Sequence, residues 1–368
     1  MQYLERMGVA DQAVSYRIGG DHEGPVERYL VSTPETRAIC NHPELAGWEF
    51  SDALAQAVAR ALTALPLADE IHSVPEHRVC VLNFLRGGLN FGVRKALHEA
   101  YGLNNQASAF MSSQRYRSED GRWGVREDMY RKLKIAPDSV LVMGDVVATG
   151  VTMANGLDVL LDHLENIGSP IRMLLFFTIG CHKVEKALAA FHERASRLFP
   201  GYRRTAVVYF EGKFKLVDSK TDLRIKIPGT DLVRKGAILA PEFELSQYER
   251  PSNLLERCVI YDAGSRAFDL PHYFEDLTSY WRNLDGLVRQ GWTMDQAIEE
   301  RWPDWSSSSL ADFAARRRDI WRNLDEAQIQ RIHSALEDLR RRIHEKPATT
   351  LGDTAQSRLQ ALEALAAR

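Results

Sequence analysis

Residues 140–153 read Val-Leu-Val-Met-Gly-Asp-Val-Val-Ala-Thr-Gly-Val-Thr-Met. Val140 to Met143 is an apolar run of the length expected for a strand buried on both faces of a parallel sheet. Asp145 falls where that strand should end. Thr149, Gly150 and Thr152 follow, and an apolar-periodic segment opens at Thr152, with Met153, Leu157, Leu160, Leu161 and Leu164 at helical spacing. The stretch therefore reads strand, small-residue loop, helix. Such a loop aims backbone N–H groups and hydroxyls at one point, at the positive end of a helix dipole, and that is a phosphate site. Asp145 cannot itself bind phosphate, but a carboxylate beside a phosphate cradle suits sugar hydroxyls or a metal. No Gly-Lys-Ser/Thr makes this a Walker loop, and no Gly-x-Gly-x-x-Gly makes it a dinucleotide fingerprint.

Working upstream, Arg78 to Phe84 reads as the first core strand. Leu85-Arg86-Gly87-Gly88 and a helix from about Leu89 to Tyr101 follow it. Glycines directly after a strand let a ligand approach the backbone closely, although a plain helix-entry turn has the same composition. Gln106 to Met111 is a second strand. Ser112 to Arg126 is polar and without periodicity, carries Arg115, Tyr116, Arg117, Arg122, Trp123 and Arg126, and has a turn signal at Asp120-Gly121. It reads as an anion-facing loop or as a solvated hairpin tip, with Glu127 to Ile135 able to return as a strand. Residues 1–50, punctuated by Gly19-Gly20, Gly24-Pro25, Pro34 and Pro43, read as an irregular N-terminal extension. Ser51 can cap a helix from Asp52 to Leu65.

Downstream, Ile171 to Ile179 and Arg204 to Phe210 are further strands, separated by a helix over 182–198. Turn signals around Lys213–Val217 and Leu223–Ile227 predict an antiparallel hairpin ending at Pro228-Gly229. From about Phe243 the pattern becomes helical, with helices expected at 274–289, 293–301, 308–322, 325–345 and 354–367. Ile329, Ile332, Leu336, Leu339 and Ile343 form a two-heptad stripe that is short for a dimer coiled coil and suits an internal seam.

The 140–153 stretch resembles the phosphoribosyl-diphosphate signature of type I phosphoribosyltransferases: an apolar strand, two acidic residues, three residues, then Thr-Gly-x-Thr. Asp145 matches the second acid and Gly144 stands where the first is usual. Ala148 matches the adenine and uracil enzymes, and Ala148, Thr149, Gly150, Val151 and Thr152 match the 5-phosphate loop. The resemblance covers about residues 50–240. It implies an α/β fold with a mainly parallel sheet flanked by helices, a small hood and an all-helical C-terminal extension. The corresponding division is 1–50 as an extension that can join the hood; 51–245 as the α/β domain with a hood hairpin at about 211–230; and 246–368 as the helical region. It also implies that Arg86, Gly87 and Gly88 hold the diphosphate, that Arg86 assists Asp145 in catalysis, and that Ser112, Ser113, Arg115, Tyr116 and Arg117 belong to a mobile lid. The implied reaction moves 5-phosphoribosyl from phosphoribosyl diphosphate to a base or base-like amine, with Mg²⁺ carried by the donor and Asp145 as the candidate protein contact to it, in a homodimer. A non-catalytic sensor of phosphoribosyl diphosphate or nucleotide on the same fold is the alternative. A phosphatase or kinase lacks its marks, since Asp-x-Asp and a Walker lysine are missing.

The whole chain narrows the classes further. Its 368 residues are 45% hydrophobic and 26% charged with a net charge of −3, a balance that gives no general attraction to nucleic acid or to an anionic membrane. The opening Met-Gln-Tyr-Leu-Glu-Arg does not read as a signal peptide, and no run approaches the roughly 18 apolar residues of a membrane span. Cys40, Cys80, Cys181 and Cys258 are scattered without a Cys-x-x-Cys pair, so a reducing, cytoplasmic compartment is expected and a metal at Cys181-His182 is not.

Overall fold

The computed structural model describes residues 1–20, 24–85, 87–117, 123–302, 305, 309–345 and 350–366, with backbone alone for 113–117 and 123–129. In chain order the first elements are β1 (Tyr3–Ala10), β2 (Ala13–Gly19), β3 (Val26–Ser32), α1 (Pro34–Asn41), α2 (Gly47–Ala64) and α3 (Ala68–His72). Then come β4 (Val79–Leu85), a 3-10 turn (Gly87–Phe91), α4 (Val93–Tyr101), β5 (Ala107–Arg117), β6 (Trp123–Lys132), β7 (Ser139–Val147) and α5 (Val151–Asn166). The central part closes with β8 (Ile171–Cys181), α6 (Lys183–Leu198), β9 (Arg204–Leu216) and β10 (Leu232–Leu239). The C-terminal third is α7 (Pro241–Gln247), α8 (Pro251–Leu255), α9 (Ala263–Phe268), α10 (Leu270–Val288), α11 (Met294–Arg301), α12 (Leu310–Ile320), the two-residue β11 (Trp321–Arg322), α13 (Glu326–Glu345) and α14 (Leu351–Ala366).

One sheet runs in the order β11-β1-β2-β3-β9-β8-β7-β4-β5-β6, with β10 paired to β9 off that path. From β3 to β5 every neighbouring pair is parallel. These inner strands are near-continuous apolar runs, β8 being buried at ten of its eleven positions, because helices cover both faces. The helices α2 and α4 pack together, as do α5 and α6; right-handed crossovers running to opposite sides of the sheet place the two pairs on opposite faces.

Three sequence expectations are corrected here. The described residues from Tyr3 to Ser32 are not irregular: β1, β2 and β3 form an antiparallel meander that enters the main sheet through β3, parallel to β9. The glycine and proline clusters mark its turns and ends rather than the absence of strands. Ser51 does not cap α2, which begins four residues earlier after Ala46; the Ser51 hydroxyl lies inside the helix and donates to the Gly47 carbonyl at 3.4 Å. The hairpin after residue 211 pairs β9 with β10, Leu216 opposite Leu232 and Lys213 opposite Ile238, and not Lys213–Val217 with Leu223–Ile227. Residues 217–231 are the connection, held where Val217, Leu223 and Val233 form a small apolar cluster.

The C-terminal helices share the main core, since a single hydrophobic cluster runs from Leu4 through the sheet to Leu362. β11 adds to the sheet edge, Leu4 opposite Trp321, and the Trp321 indole donates to the Leu239 carbonyl at 2.9 Å. The 329–343 stripe is buried on all five residues, as an internal seam requires. All four cysteines are buried free thiols. Among the described residues no helix is long and apolar enough to cross a membrane.

Candidate active site

Taken alone, the strands β4, β5, β7, β8 and β9 stand in the order 2-1-3-4-5 across the sheet. Connections leave in opposite directions on either side of the boundary between β4 and β7, so a crevice opens beyond the carboxyl ends of those two strands. The turn after β4 and the loop after β7 meet there.

Strand β7 continues past Asp145 to Val147, so the aspartate sits within the last turn of ladder, opposite Thr178 of β8. Its Oδ1 accepts the Val146 N–H at 2.8 Å. The 87–88 turn lies directly on it. A Cβ built on Gly87 would overlap Asp145 Oδ1, and one on Gly88 would stand 3.1 Å from the Gly144 carbonyl oxygen. A side chain at 87 would displace the Asp145 carboxylate, and one at 88 would press the turn away from β7. The helix expected from Leu89 begins instead as a 3-10 turn, and α4 starts at Val93 after Gly92. This turn swings Phe91 over β7. A Cβ on Gly144 would meet the Phe91 ring at 2.5 Å, so a buried aromatic fills the space where the first acid of the signature would project.

After β7 the chain turns through Gly150, at φ +74°, into α5. No side chain caps this 16-residue helix, so its first N–H groups face the crevice with the dipole's positive end. Thr152 Oγ1 is buried and has no hydrogen-bond partner among the described residues. Behind the loop, the Cys181 thiol donates to the Ala148 carbonyl at 3.1 Å.

The resulting cleft, of about 290 Å³, is lined by Gly87, Asp145, Ala148, Thr149, Gly150 and Thr152 on one side. Val151 is the first residue of α5 and Gly88 is buried beneath the turn; neither lines the cleft. Arg86 lies outside the described residues.

The opposite wall consists of Thr230, Leu232 and the segment Ile260 to Gly264. Sequence reading missed that segment as a site element, because it precedes a six-residue helix 115 positions downstream of Asp145 and no local pattern links the two. Asp262 Oδ1 accepts the N–H groups of Gly264 and Ser265, at 2.7 and 3.1 Å. The buried Tyr261 hydroxyl donates to Glu256 at 2.9 Å, and Arg257 stacks on its ring at 4.6 Å. Asn90 ties the walls together: buried in the turn after β4, it donates to the Ala263 carbonyl at 2.8 Å.

The expected loop at 112–126 is strand-paired over most of its length. β5 and β6 form an antiparallel hairpin, Ser112 opposite Tyr130 and Arg117 opposite Trp123, with a bulge between Ser112 and Gln114. An antiparallel partner satisfies the backbone whatever the side chains, so strand forms here without apolar alternation. The last pair with β4 is Leu85 opposite Ser112, so 113–117 project beyond the carboxyl end of β4, the end that bears the cleft. The half-buried Ser112 is described; the side chains of Ser113, Arg115, Tyr116 and Arg117 lie outside the described residues.

Among the described residues no three or more His, Cys, Asp or Glu side chains gather as a metal cage. The chain matches no protein-family model and no curated protein. Among solved structures it is similar to a purine phosphoribosyltransferase from Pyrococcus horikoshii, over 48% of this chain and 97% of that one, at 17% identity and a TM-score of 0.24. It is also similar to a hypothetical protein from Neisseria gonorrhoeae with bound ppGpp, over 34% of this chain and 67% of that one, at 13% identity and a TM-score of 0.22. Both scores are too low to bear on function, which rests on the geometry of the cleft.

Proposed function

We propose that the protein moves a 5-phosphoribosyl group from phosphoribosyl diphosphate to a nitrogen acceptor and releases diphosphate. One observation carries this reading: Asp145, the glycine turn at 87–88 and an uncapped helix N-terminus with the orphaned Thr152 hydroxyl converge in one cleft at the switch point of the sheet. The α5 N-terminus, Thr149 and Thr152 hold the 5-phosphate, whose oxygens would satisfy Thr152 Oγ1. Asp145 accepts hydrogen bonds from the ribose hydroxyls. As the anomeric C–O bond to diphosphate breaks and the C–N bond forms, positive charge builds on the ribose beside this carboxylate, which stabilises it. The 87–88 turn lets the diphosphate approach the backbone, with Arg86 and the lid arginines offsetting its charge. Mg²⁺ carried by the donor would neutralise the leaving group, and Asp145 is the side chain that would help hold it. The segment 260–264 faces the acceptor, a nitrogenous base or base-like amine.

A second reading has its own observation. Phe91 seals the place of the first acid, which fits a protein that binds the donor or a nucleotide and signals its level without turnover. Two substitutions separate the readings. Thr149→Val removes a hydroxyl contact made equally in ground and transition states, so donor binding should weaken by roughly 1–3 kcal/mol. Asp145→Asn keeps size but deletes the charge, so turnover should fall on the order of 10²-fold or more while binding changes little. Calorimetry of donor binding with Mg²⁺, run beside diphosphate release with a panel of bases and amines, measures both. Donor binding with no release for any acceptor would establish the sensor; normal turnover in the Asp145→Asn protein would remove the mechanism.

A further inference from the structure

A second cleft, of about 550 Å³, lies between β3 and α6 and is lined by Arg28, Lys213, Glu185, Lys186 and His182 with Val26 among its apolar walls. Two of its cations are buried, Arg28 at 9% and Lys213 at 8% exposure. They share one acid. Lys213 Nζ donates to Glu185 Oε1 at 3.0 Å, and the Tyr209 hydroxyl donates to the same oxygen at 3.2 Å. Arg28 Nη2 donates to the Gly20 carbonyl at 3.3 Å, whereas Arg28 Nη1 makes no hydrogen bond among the described residues and pairs with Glu185 Oε2 only at 3.8 Å.

Buried charge is normally matched one for one, because an unmatched ion far from water is costly. Here, among the described residues, two buried cations face a single carboxylate, and the exposed Lys186 adds a third positive charge at the rim. The first turn of α6, a 16-residue helix without a side-chain cap, contributes its dipole to the same place. We infer that this cleft is a second anion site that takes a phosphoryl group, held by Arg28, Lys213 and Lys186 at the α6 N-terminus. A guanidinium with an unused N–H and two ammonium groups suit a tetrahedral dianion, and the volume leaves room for the rest of a phosphate monoester beyond the phosphoryl group itself.

The site is separate from the Asp145 cleft but touches its supports. Lys183, in the first turn of α6, packs under the phosphate loop: a Cβ on Gly150 would lie 3.5 Å from the Lys183 carbonyl oxygen. The Cys181 thiol that bonds to Ala148 ends β8, two residues before α6 begins. An anion bound at α6 therefore braces the loop from behind, the position of an effector rather than of a substrate.

Hydrogen exchange of the full-length protein, titrated with inorganic phosphate and separately with AMP, tests the site, with sodium chloride at equal ionic strength as control. Slower exchange over 183–189 is expected. The apparent affinity behind it should fall about tenfold or more in Lys213→Met and in Lys186→Glu, the scale of a lost charged contact, while any protection over 151–153 persists. Lys186 is exposed, so its reversal leaves the fold intact even if the buried Lys213 variant does not fold. Protection by AMP at lower concentration than phosphate would identify the phosphoryl group of a larger molecule; equal potency would identify free phosphate. No protection over 183–189 by either anion, the same protection by chloride, or undiminished affinity in the Lys186→Glu protein would overturn the inference.

Discussion

Thr152 shows at the scale of one residue how a binding site differs from a core. A buried hydroxyl without a partner costs about 1–3 kcal/mol, and Thr152 Oγ1 is such a group, in the first turn of α5. Thr152→Val replaces it by a methyl of nearly the same shape. The ligand-free protein should gain stability, by about 1 kcal/mol, and at the same time bind the donor less tightly. Denaturant melts and donor calorimetry on one preparation measure the pair; a loss of stability would mean that the hydroxyl has a structural partner and no part in phosphate binding. Gly144 carries the converse lesson. The motif leaves open why no acid stands there, and the Phe91 ring in contact with it supplies the steric reason.

Elements are joined by buried charge as well as by apolar contact. Glu211, within β9 and with φ +63°, is fully buried and braces the capping box of α1: it accepts the Ser32 hydroxyl at 2.7 Å, the Thr33 N–H at 2.9 Å and the Thr36 hydroxyl. Burial outweighs these bonds and the nearby Arg37, and raises the carboxyl from its ordinary 4.5 to about 7. The folded protein thus holds a proton that the unfolded chain releases, so this group's contribution is complete below about pH 4.5 and is lost as pH rises to about 7. Stability attributable to Glu211 should decline across that window, on the order of a few kcal/mol, and Glu211→Gln should flatten the decline. Chemical denaturation at several pH values from 4.5 to 7.5 tests this; an unchanged slope in the variant would assign the pH dependence elsewhere. The β5–β6 hairpin is the element on which the lid assignment rests. Its strands pair with each other beyond the end of β4. Hydrogen exchange over 112–126 should slow when donor and Mg²⁺ are added, and equal exchange in both states would remove the lid.

For the molecule as a whole, the C-terminal third is part of the main core and supplies one wall of the cleft. Glu244 and Arg317 form a buried ion pair at 2.6 Å, Arg358 bonds Glu256 at 3.2 Å, and Trp281 and Trp302 are enclosed. Truncation after Glu244 would strip the buried Arg234 of its Glu256 carbonyl partner, remove β11 from the edge of β1, and delete Ile260 to Gly264 from the cleft. The truncated protein should aggregate or elute as a misassociated species in size-exclusion chromatography. A soluble, monodisperse truncate with full donor binding would show the region to be an appendage.

What the sequence determined by itself is local. Val140–Met143, Asp145, the 149–152 loop and the stripe that begins at Met153 lie within one strand-loop-helix unit, so their periodicity and spacing suffice to place them. The same holds for the C-terminal helices, whose amphipathic stripes follow from the 3.6-residue period. The β1–β3 meander lies beyond such reading, because short strands interrupted by glycine and proline owe their order to partners elsewhere: β3 pairs with β9 some 180 residues later. Three further features were decided only by tertiary structure: the contact of Gly87 with Asp145, the Phe91 ring over Gly144, and the wall at 260–264 held to the 87–91 turn through Asn90. Each joins segments far apart in the chain, and such contacts are set by how the sheet is wound and how the helices pack, which no window of sequence contains.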